Sequence, residues 1–285
     1  MKKQKLILMV GESGSGKSTL AKSMLDKFTV RVNRDTIRKM LFQTWNAKFE
    51  KLVETIEFDS AESALKEGYN VIVDDLNINP KTRQQWEDFA QRLDVEFEVR
   101  EVVEPLEACV QRDRQRDGRD RVGQSVITKQ FIRNNRKDVF QNVPTVIVDV
   151  DGTLADCTDV RSPFDESRVS EDKVYREIAH QVRQLWNKID KHQIIIVSGR
   201  HETCGPDTED WLLSNVIPFD GLLMRNRGDN RDDRVVKKEL LDLILKYVDK
   251  NNIKLVIDDR PKVIRMWREN GLTVQAARGE DIEEF

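Results

Sequence analysis

Leu6-Ile-Leu-Met-Val10 runs without a break into Gly11-Glu-Ser-Gly-Ser-Gly16-Lys17-Ser18-Thr19. Five apolar residues closed by a glycine read as a buried strand. The stretch after it meets every fixed position of the phosphate-cradling P-loop, which joins a strand to a helix. The chemistry of such a loop dictates its residues. Glycines let the chain turn its backbone N–H groups inward, and the N-terminus of the following helix adds positive potential. Gly14, Ser15, Gly16 and Thr19 are the expected cradle, Lys17 reaches the β and γ phosphates of a nucleotide, and the Ser18 hydroxyl is placed to ligate Mg²⁺. The plain alternative is a glycine-rich turn carrying an exposed lysine, which the strand before and the helix after argue against.

Outward from this point, short apolar runs alternate with amphipathic stretches, the pattern of parallel α/β architecture. Further strands are expected at Val71–Asp74, Phe97–Val103, Thr145–Val150, Gln193–Val197, Gly221–Met224 and Leu255–Ile257, with a short one at Val30–Val32. Helices fit Phe49–Lys66, Thr82–Leu93, Ser170–Ile189, Val235–Val248 and Val263–Glu269. A helical pattern stops at Asn142-Val-Pro144 and a new strand begins, which places a domain boundary between 143 and 144. The acidic end, Glu280 to Phe285, reads as a frayed, solvated tail.

The chain has 285 residues, enough for two domains of ordinary size. Its 48 Lys and Arg against 51 Asp and Glu exclude a uniformly basic coat that binds nucleic acid by charge alone. The charge is uneven, however. Residues 1–50 hold eleven Lys and Arg against four acids, a local basic surface suited to a polyanionic acceptor. Cys109, Cys157 and Cys204 share no metal-ligand spacing and cannot all pair, so a reducing compartment is expected. With no membrane-length apolar run and no signal peptide, the expected location is the cytoplasm.

A P-loop alone does not separate a kinase from other nucleotide-binding proteins. Asn33-Arg34-Asp35-Thr-Ile-Arg38 opens a helix. Asp35 is placed to be that helix's N-cap or to accept the proton of an attacking hydroxyl, and spacing leaves both roles open. Arg38, one turn on, faces the same way, and Arg34 and Arg38 are candidates for holding an acceptor phosphate. Val71-Ile-Val-Asp74-Asp75-Leu-Asn77 sets acids at the carboxyl end of a strand, where ligands bind open α/β sheets. Gln111 to Arg121 holds five arginines and three aspartates in eleven residues. By composition it is a self-paired solvated helix, whereas beside a P-loop it is a lid whose arginines neutralise transferring phosphate.

A second constellation begins at Val146-Ile-Val-Asp149-Val-Asp151-Gly-Thr153, a strand ending in Asp-x-Asp-Gly-Thr. This resembles the nucleophile motif of haloacid-dehalogenase-type phosphatases. The spacing lets Asp149 attack phosphorus while Asp151 protonates the leaving oxygen, and two carboxylates so close call for a cation such as Mg²⁺. An Asp-Gly hairpin turn is the alternative. Ile194-Ile-Ile-Val-Ser198-Gly199-Arg200 supplies a hydroxyl and amide for a phosphoryl oxygen. Lys237 supplies a cation, and Asp258-Asp259 closes a third strand with metal-ligand candidates.

A P-loop half followed by an Asp-x-Asp half resembles the bacteriophage type of 5′-polynucleotide kinase/3′-phosphatase over nearly the whole chain. The resemblance implies an N-terminal P-loop kinase domain with a parallel sheet (1–143) and a C-terminal haloacid-dehalogenase-like Rossmannoid phosphatase domain (144–285). It implies ATP as donor with Mg²⁺, Lys17 and Ser18 on the nucleotide and its metal, and Asp35 as base. It puts Arg38 on the acceptor phosphate, Asp75 and Asn77 at the strand end, and Arg112 and Arg116 in the lid. In the second half it falls on Asp149, Asp151, Arg161, Ser198, Arg200, Asp233, Lys237 and Asp259, with Asp149, Asp151 and Asp259 as metal ligands. Implied partners are RNA or DNA ends, an RNA or DNA ligase and further copies of the chain, in a host cytoplasm. Two other readings stand beside this one: a small-metabolite kinase fused to a small-metabolite phosphatase, and an ATP-gated binding protein with inert sites.

Overall fold

The computed structural model describes residues 3–42, 47–188 and 191–279, so the expected tail at 280–285 lies outside the described residues. The chain forms two compact units, Met1–Cys109 and Val110–Phe285.

The first unit runs β1 (Lys5–Val10), α1 (Lys17–Ser23), β2 (Thr29–Val32), α2 (Arg34–Leu41), α3 (Glu50–Lys66), β3 (Asn70–Val73), α4 (Pro80–Arg92) and β4 (Glu96–Glu101). Its four strands lie in the order β2-β3-β1-β4, all parallel. β1 is central and has no polar alternation because both faces are covered. Leu6, Leu8 and Val10 join a core with Trp86, Phe89 and Leu65, while Ile7 and Met9 join a second with Ala21 and Ile72. Each such side chain, fully buried, contributes about 1.5–3 kcal/mol.

The helix α5 (Leu106–Arg114) carries the chain into the second unit. There follow α6 (Gln124–Arg133), β5 (Thr145–Val148), the paired short strands β6 (Ala155–Asp156) and β7 (Lys173–Val174), α7 (Arg176–Trp186), β8 (Gln193–His201) and α8 (Gly205–Ser214). β9 (Gly221–Arg225), α9 (Asp233–Ile244), β10 (Ile253–Asp258), α10 (Pro261–Glu269) and β11 (Val274–Ala276) complete it. The sheet order is β11-β10-β5-β8-β9, again all parallel. β5 is central, so Val146 and Val148 are fully buried among Ile194, Ile196, Leu222 and Ile257.

The packing divides the chain at 109/110, ahead of the pattern boundary at 143/144. The reason is α6, which lies along β9: Ser125 Oγ accepts from the Met224 amide at 2.9 Å, and Lys129 Nζ donates to the Met224 carbonyl at 2.6 Å. A second difference concerns the helix expected over Ser170–Ile189. It begins only at Arg176, because Glu166–Glu171 form a 3₁₀ turn and Lys173–Val174 pair with β6. Between them Asp172 is drawn inward by two arginines, as described below, and Ile189 is outside the described residues. β11, Val274-Gln-Ala276, is too short for its alternation to stand out as a signal in the sequence. Among the described residues no helix is long and apolar enough to cross a membrane.

Candidate functional sites

The first site gathers at the carboxyl ends of β1 and β3. Gly14 has φ +81°, and a Cβ there would sit 2.3 Å from the Cys109 carbonyl oxygen, so only glycine fits the loop. Lys17 is buried, its ammonium donating to the loop's own Glu12 carbonyl at 2.7 Å. Ser15 is buried, while Ser18 and Thr19 are exposed on the first turn of α1. The end of β1 and the start of the P-loop are tied to the segment after β3 by two bonds: Gly11 N donates to the Leu76 carbonyl at 3.0 Å, and Asn77 Nδ2 donates to the Met9 carbonyl at 2.9 Å. Asn77 itself adopts φ +47°.

The helix α2 is capped by Asn33, whose Oδ1 accepts from the Thr36 amide at 2.9 Å. Asp35 is therefore not the cap, which corrects one of the two roles left open above. Its carboxylate is 75% exposed and takes an ion pair from Arg38 at 2.6 Å; Arg38 also holds Glu50 at 2.6 Å. Asp75 accepts from the Arg34 amide at 3.1 Å and from Asn33 Nδ2 at 3.3 Å. Burial, with the neighbouring Glu57 carboxyl, pushes the Asp75 carboxyl well above the usual carboxylate range. Arg34 donates to Glu57 at 2.6 Å, so its guanidinium is engaged by a buried acid.

In the arginine-rich stretch, buried Asp113 accepts from the amides of Val122 and Gly123 and pins the chain back on itself. Arg114 and Arg121 bind Glu209 on α8 at 2.7 and 3.1 Å, and Arg121 also holds Asp210. Arg116 meets Asp113 at 3.2 Å, and both it and Arg112 stand exposed. Two of the five arginines are thus committed to the second unit's own acids.

The second site lies at the carboxyl ends of β5, β8 and β10, around a cavity of about 460 Å³. Asp149 is buried with Oδ1 2.7 Å from Lys237 Nζ, and Lys237 in turn holds Asp258 at 2.8 Å. Burial pushes the Asp149 carboxyl well above the usual range against the pull of Lys237. Burial also works against the ammonium of Lys237, but the carboxylates of Asp149 and Asp258 outweigh it and raise it above an ordinary lysine. Carboxylate oxygens of Asp149, Asp258 and Asp259 lie within 4.8 Å of one another. Asp259 Oδ1 is buried with no hydrogen-bond partner, and burial beside Asp258 raises that carboxyl to about 6. An orphaned oxygen in an oxygen-only donor set fits a hard divalent cation. Gly152 makes room for the Asp259 carboxylate: at φ +80° a Cβ would stand 1.9 Å from Asp259 Oδ2.

The Asp151 side chain is outside that cluster. It is gripped by Arg200 through Nε at 2.9 Å and Nη2 at 2.8 Å, and by Arg161 at 2.9 Å. Burial would raise its carboxyl, but the two guanidiniums, Arg200 first, hold it below the usual range. Both arginines also bind buried Asp172, Arg161 at 2.7 Å and Arg200 at 2.6 Å. Ser198 is fully buried, its Oγ accepting from the Arg200 amide at 3.2 Å. Asp233 joins Arg225 at 2.8 Å and Arg260 at 3.1 Å. Asp172, Arg225 and Arg260 are members of this network that motif reading passed over. Arg225 ends β9 and was findable as a charge closing an apolar strand, whereas Asp172 lies in a segment with no motif.

Fold and sites together define a P-loop phosphotransferase-type unit joined to a haloacid-dehalogenase-type phosphatase unit. Residues 6–157 match the model of the AAA domain family, and residues 143–281 match that of the polynucleotide kinase PNKP phosphatase domain. The chain belongs to the AAA-domain P-loop family, and its C-terminal half carries a PNKP-type phosphatase domain. It is 30% identical to the "Putative bifunctional polynucleotide kinase/RNA ligase" of Autographa californica nuclear polyhedrosis virus, over 93% of this chain and 41% of that protein. The chain therefore spans about two fifths of the length of that relative. A chain of the solved Pnkp1/Rnl/Hen1 RNA repair complex is 28% identical, covering 97% of this chain and 96% of that one with a TM-score of 0.44. A second structure of the Pnkp1/Rnl/Hen1 complex aligns at 27% identity, with 97% of each chain covered and a TM-score of 0.43.

Proposed function

We propose that this chain heals nucleic-acid ends, phosphorylating 5′-hydroxyls from ATP in its first half and removing 3′ phosphates or 2′,3′-cyclic phosphates in its second. The observation that carries the reading is the cluster of Asp149, Lys237, Asp258 and Asp259 beside the arginine-held Asp151, in a stretch that matches a polynucleotide kinase phosphatase model. The domain boundary that matters for activity is then 143/144.

In the kinase half, the P-loop amides with Lys17 and Ser18 hold the ATP phosphates, and Asp35 takes the 5′-hydroxyl proton as that oxygen attacks the γ-phosphorus and ADP departs. Arg38 leaves its resting pair with Asp35 to hold the acceptor phosphate, with Asp75 and Asn77 shaping the strand end. Arg112 and Arg116 are the lid arginines that the family resemblance implies. In the phosphatase half, Asp149 attacks phosphorus and the P–O3′ bond breaks; the substrate phosphate draws Arg200 off the Asp151 carboxylate, which then takes up a proton and delivers it to the departing oxygen. Water, deprotonated by Asp151, then releases phosphate from Asp149. Asp149, Asp259 and the Asp151 carbonyl would hold Mg²⁺, which would supply neutralisation of phosphate charge. Ser198, Arg200 and the ammonium of Lys237 hold the transferring oxygens and the nucleophile, and Arg161 and Asp233 border the substrate.

A role with an RNA ligase partner, after both ends are healed, follows from the same chemistry, because a ligase consumes a 5′-phosphate and a 3′-hydroxyl. The test is incubation with ATP, Mg²⁺ and an oligonucleotide bearing 5′-hydroxyl and 3′-phosphate ends, reading both ends. Lys17→Ala should abolish only the first activity and Asp149→Asn only the second. Loss of both activities in either folded variant overturns the two-site reading.

A further inference from the structure

The second-site cavity is walled mostly by polar and charged groups, with Pro163 and one aromatic ring as the apolar side chains among them. Phe164 lines it and is 96% exposed. A single exposed apolar residue ordinarily needs no explanation, but the loop that presents this one is braced. The guanidinium of Arg161, whose side chain is wholly buried, donates on one side to Asp151 and Asp172. On the other side its Nη1 donates to the carbonyls of Ser162, Pro163 and Asp165, at 3.4, 3.5 and 3.1 Å. The Phe164 amide donates to Ser162 Oγ at 3.4 Å, and Asp165 caps the following 3₁₀ turn by accepting from the Ser167 amide at 3.1 Å. Backbone on both sides of the ring is therefore tied, through one buried guanidinium, to the carboxylate proposed to protonate the leaving oxygen.

The cavity, at about 460 Å³, is of the size that holds a small organic ligand and exceeds a bare phosphate. Its floor is Asp149 and its wall includes Arg200 and Arg260, so a phosphate seats at the floor and the group esterified to it extends toward the mouth. A flat aromatic ring presented there on a braced backbone suits a flat aromatic partner, and every nucleobase offers a π face.

We propose that Phe164 is a stacking platform for the base of the 3′-terminal nucleotide, and hence a specificity-determining residue of the phosphatase site. This rests on the 3′-end reading given above. Stacking on an aromatic side chain contributes about 5- to 150-fold in binding and is tolerant of base identity. Phe164 accordingly selects nucleic-acid ends over phosphate esters without a base, and does so without preferring a sequence.

The experiment compares kcat/KM on two 3′-phosphate oligonucleotides, one with an ordinary terminal nucleotide and one with an abasic terminal sugar, in the full chain with Mg²⁺. The unmodified protein should favour the base-bearing substrate by about 5- to 150-fold, mainly through KM. Phe164→Ala should bring that ratio toward one, and Phe164→Trp should keep it. An unmodified protein that treats both oligonucleotides alike overturns the proposal, as does Phe164→Ala losing the same factor on both, which is the mark of a loop support. If the unmodified protein hydrolyses an aryl phosphate but neither oligonucleotide, the 3′-end reading itself falls and the stacking role with it.

Discussion

Asp35→Asn separates catalysis from stability with unusual clarity, because the structure assigns the helix cap to its neighbour. The Asp35 carboxylate is 75% exposed and pairs with Arg38, whose other pair, with Glu50 at 2.6 Å, does not involve Asp35. An exposed pair of this kind contributes about 0.2–1 kcal/mol, so the substitution should move the melting of the first unit by about 1–8 °C, at the low end where the pair contributes least. Asn33→Ala is the contrasting perturbation. It removes the acceptor for the Thr36 amide and the donor to the Asp74 carbonyl and to Asp75. Loss of such a cap costs about 0.5–2 kcal/mol, and each kcal/mol shifts the midpoint of a domain this size by about 4–8 °C. For phosphoryl transfer the order reverses. Loss of a general base lowers the rate by about 10² to 10⁴, so Asp35→Asn should be the far poorer kinase and Asn33→Ala the less stable protein. The assay is ATP-dependent labelling of a 5′-hydroxyl oligonucleotide, with melting followed by circular dichroism on the same samples. An Asp35→Asn rate within tenfold of the unmodified protein would refute the base assignment, and a melting loss equal to that of Asn33→Ala would refute the structural one.

Three further outcomes are expected. Asp151→Asn should slow release of a nucleoside 3′ oxygen far more than release of an activated aryl oxide, which departs without a proton; equal losses on both leaving groups would leave Asp151 with an electrostatic role only. Asp259→Asn should shift the Mg²⁺ concentration for half-maximal phosphatase activity upward for both substrates alike, and an unchanged Mg²⁺ titration would remove Asp259 from the metal site. Lys237→Met strands the buried carboxylates of Asp149 and Asp258 without their cation, a change that costs about 3–5 kcal/mol. The denaturation midpoint of the second unit should fall accordingly and phosphatase activity should vanish; a variant as stable and as active as the unmodified protein would show that the ammonium does not hold the nucleophile.

The sequence by itself determined the elements whose signal is local. β1 and its phosphate loop, the strand into Asp149, and the strand ends at Ser198 and Asp258 are legible because a buried parallel strand is a continuous apolar run and a tight turn demands glycine at fixed offsets. Asp149 and Asp151 are likewise fixed two residues apart by the chain. Their chemistry is not fixed by that spacing. Asp149 lies against Lys237, 88 positions on by residue number, and burial raises its carboxyl; Asp151 lies between Arg161 and Arg200, which hold its carboxyl low. Those partners are brought in from α9, β8 and the segment after β6, and charge interactions depend on distance and burial in space. The same holds for Asp172, invisible as a motif yet shared by both arginines, and for α6, which ends at Arg133, short of where the helical pattern stops at Asn142, and whose place along β9 is set by which sheet edge it can cover. Spacing along the chain decided which residues stand at the strand ends, and only the tertiary structure decided which of them bear charge and what each can do with a proton.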